Sequence, residues 1–127
     1  MPIPESHLDL LERPLFGHVA QVRPDGRLQT NPVWYAWDGE RLRLTTTSDR
    51  HKGRNAVADP RIALSIHDPE QPYRYLEVRG VVEAIEPDPH GAFFDFLAKR
   101  YDLAYDGLPD AARRVVLVIA PQAASWQ

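Results

Sequence analysis

At 127 residues and net charge −3, the chain can bury one hydrophobic core and is a poor candidate for a general nucleic-acid binder. The absence of cysteine removes disulfide frameworks and thiolate metal sites. No apolar run is long enough to span a bilayer, and MPIPESHLDLLERP lacks the basic start and apolar core of a signal peptide. The expectation is a single cytoplasmic domain over 1–127, with neither membrane nor nucleic-acid partners.

In chain order, Pro4 to Arg13 reads as a short helix with Leu8, Leu10 and Leu11 on its apolar side, stopped by Pro14. Leu15 to Arg23 reads as a strand and Pro24-Asp25-Gly26 as a turn. Leu28 to Trp37 reads as one strand, in which Pro32 implies an edge, a bulge or a bend. Asp38-Gly39 is a hairpin turn into an alternating strand, Arg41 to Thr47. These three strands form an antiparallel meander on this reading. Ser48 and Asp49 offer capping side chains to a short helix over Lys52 to Ala58, which Asp59-Pro60 ends.

Arg61 to His67 is the next strand, with Ile62, Leu64 and Ile66 on one face. Asp68 to Pro72 reads as a loop. Tyr73 to Ile85 is a long strand in which Gly80 marks a bulge or a close backbone approach, and Arg79 is a same-face partner for Glu77. Asp88-Pro89 fits the N-cap and first position of a longer helix that presents Phe93, Phe94, Phe96, Leu97 and Tyr101. Asp106 to Pro109 ends that region, and Asp110 caps one further turn. Val115 to Ala120 is a continuous apolar run, as a buried central strand requires, and Trp126 closes the chain. Six strands with short turns point to a mainly β, antiparallel barrel with peripheral helices.

The chemistry concentrates between Arg41 and Arg61. Six Lys or Arg face two Asp there, a local charge of +4 in an acidic chain, and Lys52 is one of only two lysines. Hydroxyls, cations (Arg50, Lys52, Arg54) and the N–H groups of a helix start gather where a strand turns into a helix. That combination suits a phosphate. The histidines are scattered without metal-ligand spacing, so no metal site is expected. Ser48, Asp49 and His51 are loop neighbours rather than a triad, and no catalytic side chain is assigned.

Gly17-His18-Val19-Ala20 with Arg23-Pro24-Asp25-Gly26, then Asn31 to Tyr35, then Thr45 to Asn55 with Asp59-Pro60-Arg61, then Tyr73 to Gly80 follow one another across nearly the whole chain. In this order they resemble the pyridoxamine 5'-phosphate oxidase-like split β-barrel flavin and deazaflavin oxidoreductases. The Arg50-x-Lys52-x-x-Asn55 pattern looks most like the branch that uses coenzyme F420. The resemblance implies a homodimeric, six-stranded split barrel and an oxidoreductase passing a hydride between the deazaflavin and a small conjugated acceptor. FMN as cofactor, or a non-catalytic carrier of either cofactor, is the alternative.

It implies phosphate contacts from Arg50 and Lys52, hydroxyls from Thr47 and Ser48, and ring contacts from Pro32, Val33, Trp34, Tyr35, Thr45 and Thr46. Arg54 and Asn55 complete the expected cofactor-binding set. Arg23, Arg27, Arg41 and Arg43 are expected to meet the cofactor's anionic tail, and Tyr35 or His67 to supply a proton. The ending, Ala-Ser-Trp-Gln, departs from the pattern of true pyridoxamine phosphate oxidases, so pyridoxamine phosphate is not the expected substrate.

Overall fold

The computed structural model describes residues 2–127. Seven strands form one antiparallel sheet: β1 (Gly17–Val22), β2 (Leu28–Val33), β3 (Ala36–Trp37), β4 (Leu42–Thr47), β5 (Arg61–Asp68), β6 (Gln71–Pro87) and β7 (Arg114–Trp126). Their order across the sheet is β2-β1-β5-β6-β7-β4-β3. Three helices accompany them, α1 (Asp9–Glu12), α2 (His51–Ala58) and α3 (Ala92–Arg100), with 3-10 turns at Glu5–His7 and Ala111–Arg113.

Strand alternation builds the interior. Leu42 and Leu44 of β4, Ile62, Leu64 and Ile66 of β5, Leu76 and Val78 of β6, and Leu117 and Ile119 of β7 are all buried and share one core with Leu10, Leu11 and Tyr35. The apolar run Val115 to Ala120 is central as expected, between β6 and β4, and its strand continues to Trp126 against the long β6.

The expected three-strand meander is not formed. β1 and β2 make a hairpin, but β4 pairs with β7, and the stretch Leu28 to Trp37 is two strands at opposite ends of the sheet. This gives seven strands instead of six. Pro32, without an N–H, lies in the edge strand β2, as its sequence implied. The chain then leaves the ladder after Val33 and resumes pairing at Ala36. Three residue steps span about 11 Å, whereas seven flat strands are roughly 29 Å wide. The sheet must therefore curl until its two edges face each other. The gap is bridged by Trp34 and Tyr35 and not by a ladder, which is a split barrel.

Tyr35 fastens this bridge. Its side chain is fully buried, and its hydroxyl donates to the carbonyl of Leu10 at 2.6 Å and lies 3.2 Å from that of Arg13. The helical partner of the Leu10 carbonyl would be the N–H four residues on, which is Pro14 and has none. Arg100 adds four contacts, to the carbonyls of Leu11, Glu12, Arg13 and Tyr35.

Gly80 behaves as expected. The β6–β7 register shifts between Arg79 and Gly80, and a Cβ at Gly80 would lie 2.1 Å from the Ala120 carbonyl oxygen. Arg79 pairs with Glu77 at 3.2 Å.

Other local expectations are corrected. Asp68 to Pro72 is a tight hairpin, because β5 runs through Asp68 and β6 begins at Gln71. β6 likewise extends to Pro87, so α3 starts later, with Gly91 at its N-cap in the left-handed region. Asp88 is thus not the N-cap, yet its carboxylate still accepts from the Phe93 N–H at 3.1 Å. Phe96 faces outward while Leu97 is buried. Neither Ser48 nor Asp49 caps α2: Arg50 is its N-cap, and no side chain among the described residues caps it. Asp49 pairs instead with Arg113 at 3.3 Å. Asp110 precedes a 3-10 turn without capping it, because its carboxylate is taken by two arginines.

Candidate functional site

The curl of the sheet brings the end of β2, the outer face of β4, the start of α2, the start of β7 and one side of α3 around a cleft of about 280 Å³. Pro32, Val33 and Trp34 form one wall as the chain leaves β2, and Phe16 and Phe94 extend it. Trp34 is held by stacking on Tyr101, ring centroids 5.0 Å apart, with Phe94 tilted against it at 6.2 Å. Thr45, Arg50, Lys52 and Arg114 form the other wall. Thr45 faces outward because Leu42, Leu44 and Thr46 take the inward positions of β4.

Three cations converge here because one carboxylate holds two of them. Asp110 accepts from Arg114 Nε at 2.9 Å and Nη2 at 3.1 Å, and from Arg50 Nη2 at 2.9 Å. Arg114 also donates to Thr45 Oγ1 at 3.3 Å, and its guanidinium lies 4.7 Å from the Phe94 ring centre. Burial alone would raise the Asp110 pKa. The hydrogen bonds and charge of Arg114, with Arg50 behind them, hold it below the ordinary carboxylate value. Lys52 forms no salt bridge with the described residues; burial, then the charges of Arg50 and Arg114, lower its pKa. An anion in the cleft would relieve that repulsion.

The helix carrying Lys52 is fixed from below. Gln21 donates to the Lys52 carbonyl at 3.1 Å, and Asn55 to Gln29 at 3.2 Å. Gly53 lies so close to β4 that a Cβ there would meet the Thr47 carbonyl oxygen at 2.5 Å.

Of the residues expected at the site, the cleft collects Pro32, Val33, Trp34, Thr45, Arg50 and Lys52. The others lie elsewhere. Tyr35 points into the core, where its hydroxyl is already bonded and burial raises its pKa. Thr46 faces the barrel interior, and Thr47 is buried beside α2; neither hydroxyl has a hydrogen-bond partner among the described residues. Ser48 is exposed, its N–H bonded to the Arg113 carbonyl. Arg54 is exposed and Asn55 wholly buried, and both line a separate cleft of about 220 Å³ with Arg23 and His51. His67 lies on the outer sheet face, stacked with His18.

Arg114, Asp110, Phe16 and Phe94 were not expected at the site. Arg114 opens the apolar strand β7, where a charge was the available clue, and Asp110 stands four residues before it. A larger cleft of about 590 Å³ lies across β1, β2, β5 and β6. Its walls are mostly apolar (Ala20, Val22, Leu28, Ile62, Ala63), and its two arginines are engaged by Asp59 and Glu77. Of these two, the three-cation cleft is the one suited to an anionic ligand.

Comparison with known proteins agrees with this architecture. A family model described as pyridoxamine 5'-phosphate oxidase matches residues 3–126. A solved structure named F420 reductase is 55% identical, with a TM-score of 0.93, over 97% of this chain and 98% of that one. A conserved hypothetical protein from Mycobacterium tuberculosis is 26% identical, with a TM-score of 0.76, over 98% and 85% of the two chains. A pyridoxamine 5'-phosphate oxidase-like protein from Listeria innocua, at 19% identity and a TM-score of 0.73 over 96% and 95%, shares the fold. No curated protein matches. The chain therefore belongs to the pyridoxamine 5'-phosphate oxidase-like split β-barrel family, in the branch that the F420 reductase represents.

Proposed function

We propose that the protein is an F420-dependent oxidoreductase that works as a homodimer and passes a hydride to a small conjugated acceptor. The observation that carries the reading is the cleft in which Lys52, without a counter-ion among the described residues, stands beside Arg50 and Arg114 and opposite an aromatic wall. The donor set fits a phosphate at one end and a planar ring at the other. The 55% identity to a protein named F420 reductase supports the deazaflavin over FMN.

When bound, a reduced deazaflavin supplies the hydride. The chain's own residues bind and orient. Lys52, Arg50 and Arg114 would hold the anion, and Pro32 to Trp34 with Phe94 would give a ring an apolar wall to rest against. Tyr35 and His67 of this chain stand away from the cleft, which leaves solvent, or a group of the second subunit, to supply the acceptor's proton. Arg41 and Arg43, expected to meet the cofactor tail, are paired with Glu83 and Asp38, and Arg27 faces Asp25 at 3.9 Å. Arg23 and Arg54, in the neighbouring cleft with His51, are better placed for it.

The cleft's 280 Å³ is at the small end of the roughly 300–1,000 Å³ of ligand pockets. A second subunit completing it accounts for both the shallow site and the uncovered apolar cleft on the outer sheet face. The test is anaerobic mixing with reduced F420 and a panel of enones and quinones. Acceptor-dependent reoxidation supports the enzyme. Tight binding of F420 with no turnover by any acceptor makes it a carrier, and tight binding of FMN alone makes it a flavoprotein.

A further inference from the structure

We propose that Asp110 sets the charge of the cleft and so selects a singly charged phosphodiester over a doubly charged phosphomonoester. The inference rests on the reading that a cofactor phosphate sits among Arg50, Lys52 and Arg114. Asp110 is not part of the cleft wall; it acts through the two arginines it grips and is a positioning residue. Three cations and one carboxylate leave the site at +2. The carboxylate is 11% exposed, but the cleft it faces is open, so its field reaches a ligand partly through water.

Electrostatic work scales with the product of site and ligand charge. One extra positive charge at the site therefore helps a dianion twice as much as a monoanion. The deazaflavin phosphate is a diester with one charge. The phosphate of FMN is a monoester whose second proton leaves near pH 6, so it is close to −2 above neutrality. With charges ~7 Å apart and an effective dielectric of ~40, between the surface and bulk values, each unit of charge product changes affinity about tenfold.

The experiment is parallel titration of F420 and FMN, by cofactor fluorescence at pH 7.5, into wild type and variants. Asp110→Asn keeps the size and an acceptor oxygen for Arg114 while removing the charge. It should shift the ratio of the two affinities toward FMN by about tenfold. Arg50→Gln, at a side chain 55% exposed and safe for folding, should shift the ratio toward F420. Asp49→Asn removes a nearby charge that pairs with Arg113 and is 60% exposed, so solvent screens it and the ratio should stay within about twofold.

Equal weakening of both cofactors by Asp110→Asn makes Asp110 a mere structural tie and overturns the proposal. An unchanged ratio in Arg50→Gln overturns it even if Asp110→Asn does not fold. A Lys52→Ala control separates the two failures. If it leaves both affinities unchanged, the phosphate is not in this cleft and the underlying reading fails instead.

Discussion

Replacing Tyr35 by Phe removes one oxygen from the point where the open side of the barrel is fastened. The hydroxyl is the donor to the Leu10 carbonyl, which Pro14 has deprived of a helical N–H. Leu10 is fully buried, so no water takes the hydroxyl's place. The Arg13 carbonyl is less exposed to the loss, because Arg100 also donates to it at 2.9 Å. One buried carbonyl is thus orphaned, at a cost of about 1–3 kcal/mol. For a chain of this length each kcal/mol moves the melting midpoint by roughly 3–6 °C, so a loss near 2 kcal/mol lowers it by about 6–12 °C. The assay is thermal and urea unfolding of wild type and Tyr35→Phe, with the rate per folded molecule measured at saturating cofactor. A large fall in midpoint with an unchanged rate is expected. A midpoint within about 1 °C of wild type would refute the bonding argument, and a lost rate in a fully folded variant would return Tyr35 to the chemistry.

Gly80→Ala forces a Cβ against the Ala120 carbonyl, a backbone atom that cannot swing away. It should cost about 3 kcal/mol in urea unfolding, the upper end for overpacking. Lys52→Met removes a charge that burial and two arginines already disfavour, so the ligand-free protein should melt no lower than wild type while anion binding weakens. Acid should loosen the N-terminal clasp, where Arg74 bonds Asp9 at 2.6 Å and Asp68 at 3.2 Å. Both carboxylates are held below the ordinary aspartate pKa, Asp9 chiefly through its hydrogen bond from Arg74 and Asp68 chiefly through the Glu70 N–H. Depressed carboxylates contribute stability above their unfolded pKa and lose it as pH falls through the folded one. Stability should fall below about pH 4, and Arg74→Ala should flatten that fall.

What could be read in the sequence follows how local each cause is. The β4–α2 stretch was legible because alternation, a helix start and Asp59-Pro60 all lie within one window. Gly80 was legible because a lone glycine in a long alternating strand has few physical uses. The split of Leu28 to Trp37 was not, since alternation continues through Trp34 and Tyr35 and only the curled sheet decides which edge Ala36 joins. The Tyr35 hydroxyl bond was not legible for a similar reason: its partner is a carbonyl left over at a helix end by Pro14, far away in the chain. Arg114 and Asp110 carry no motif. They become a site only when β7 lies beside β4 and places them against Arg50 and Thr45.

On the proposed function, the cleft between Trp34 and Lys52 holds the cofactor's phosphate. That placement is tested most directly by titrating F420 into wild type and Lys52→Ala, with melting curves to confirm that both are folded. Losing a charge-assisted contact worth roughly 1.5–3 kcal/mol should weaken binding about tenfold to a hundredfold. Equal affinity in the two folded proteins would place the phosphate elsewhere.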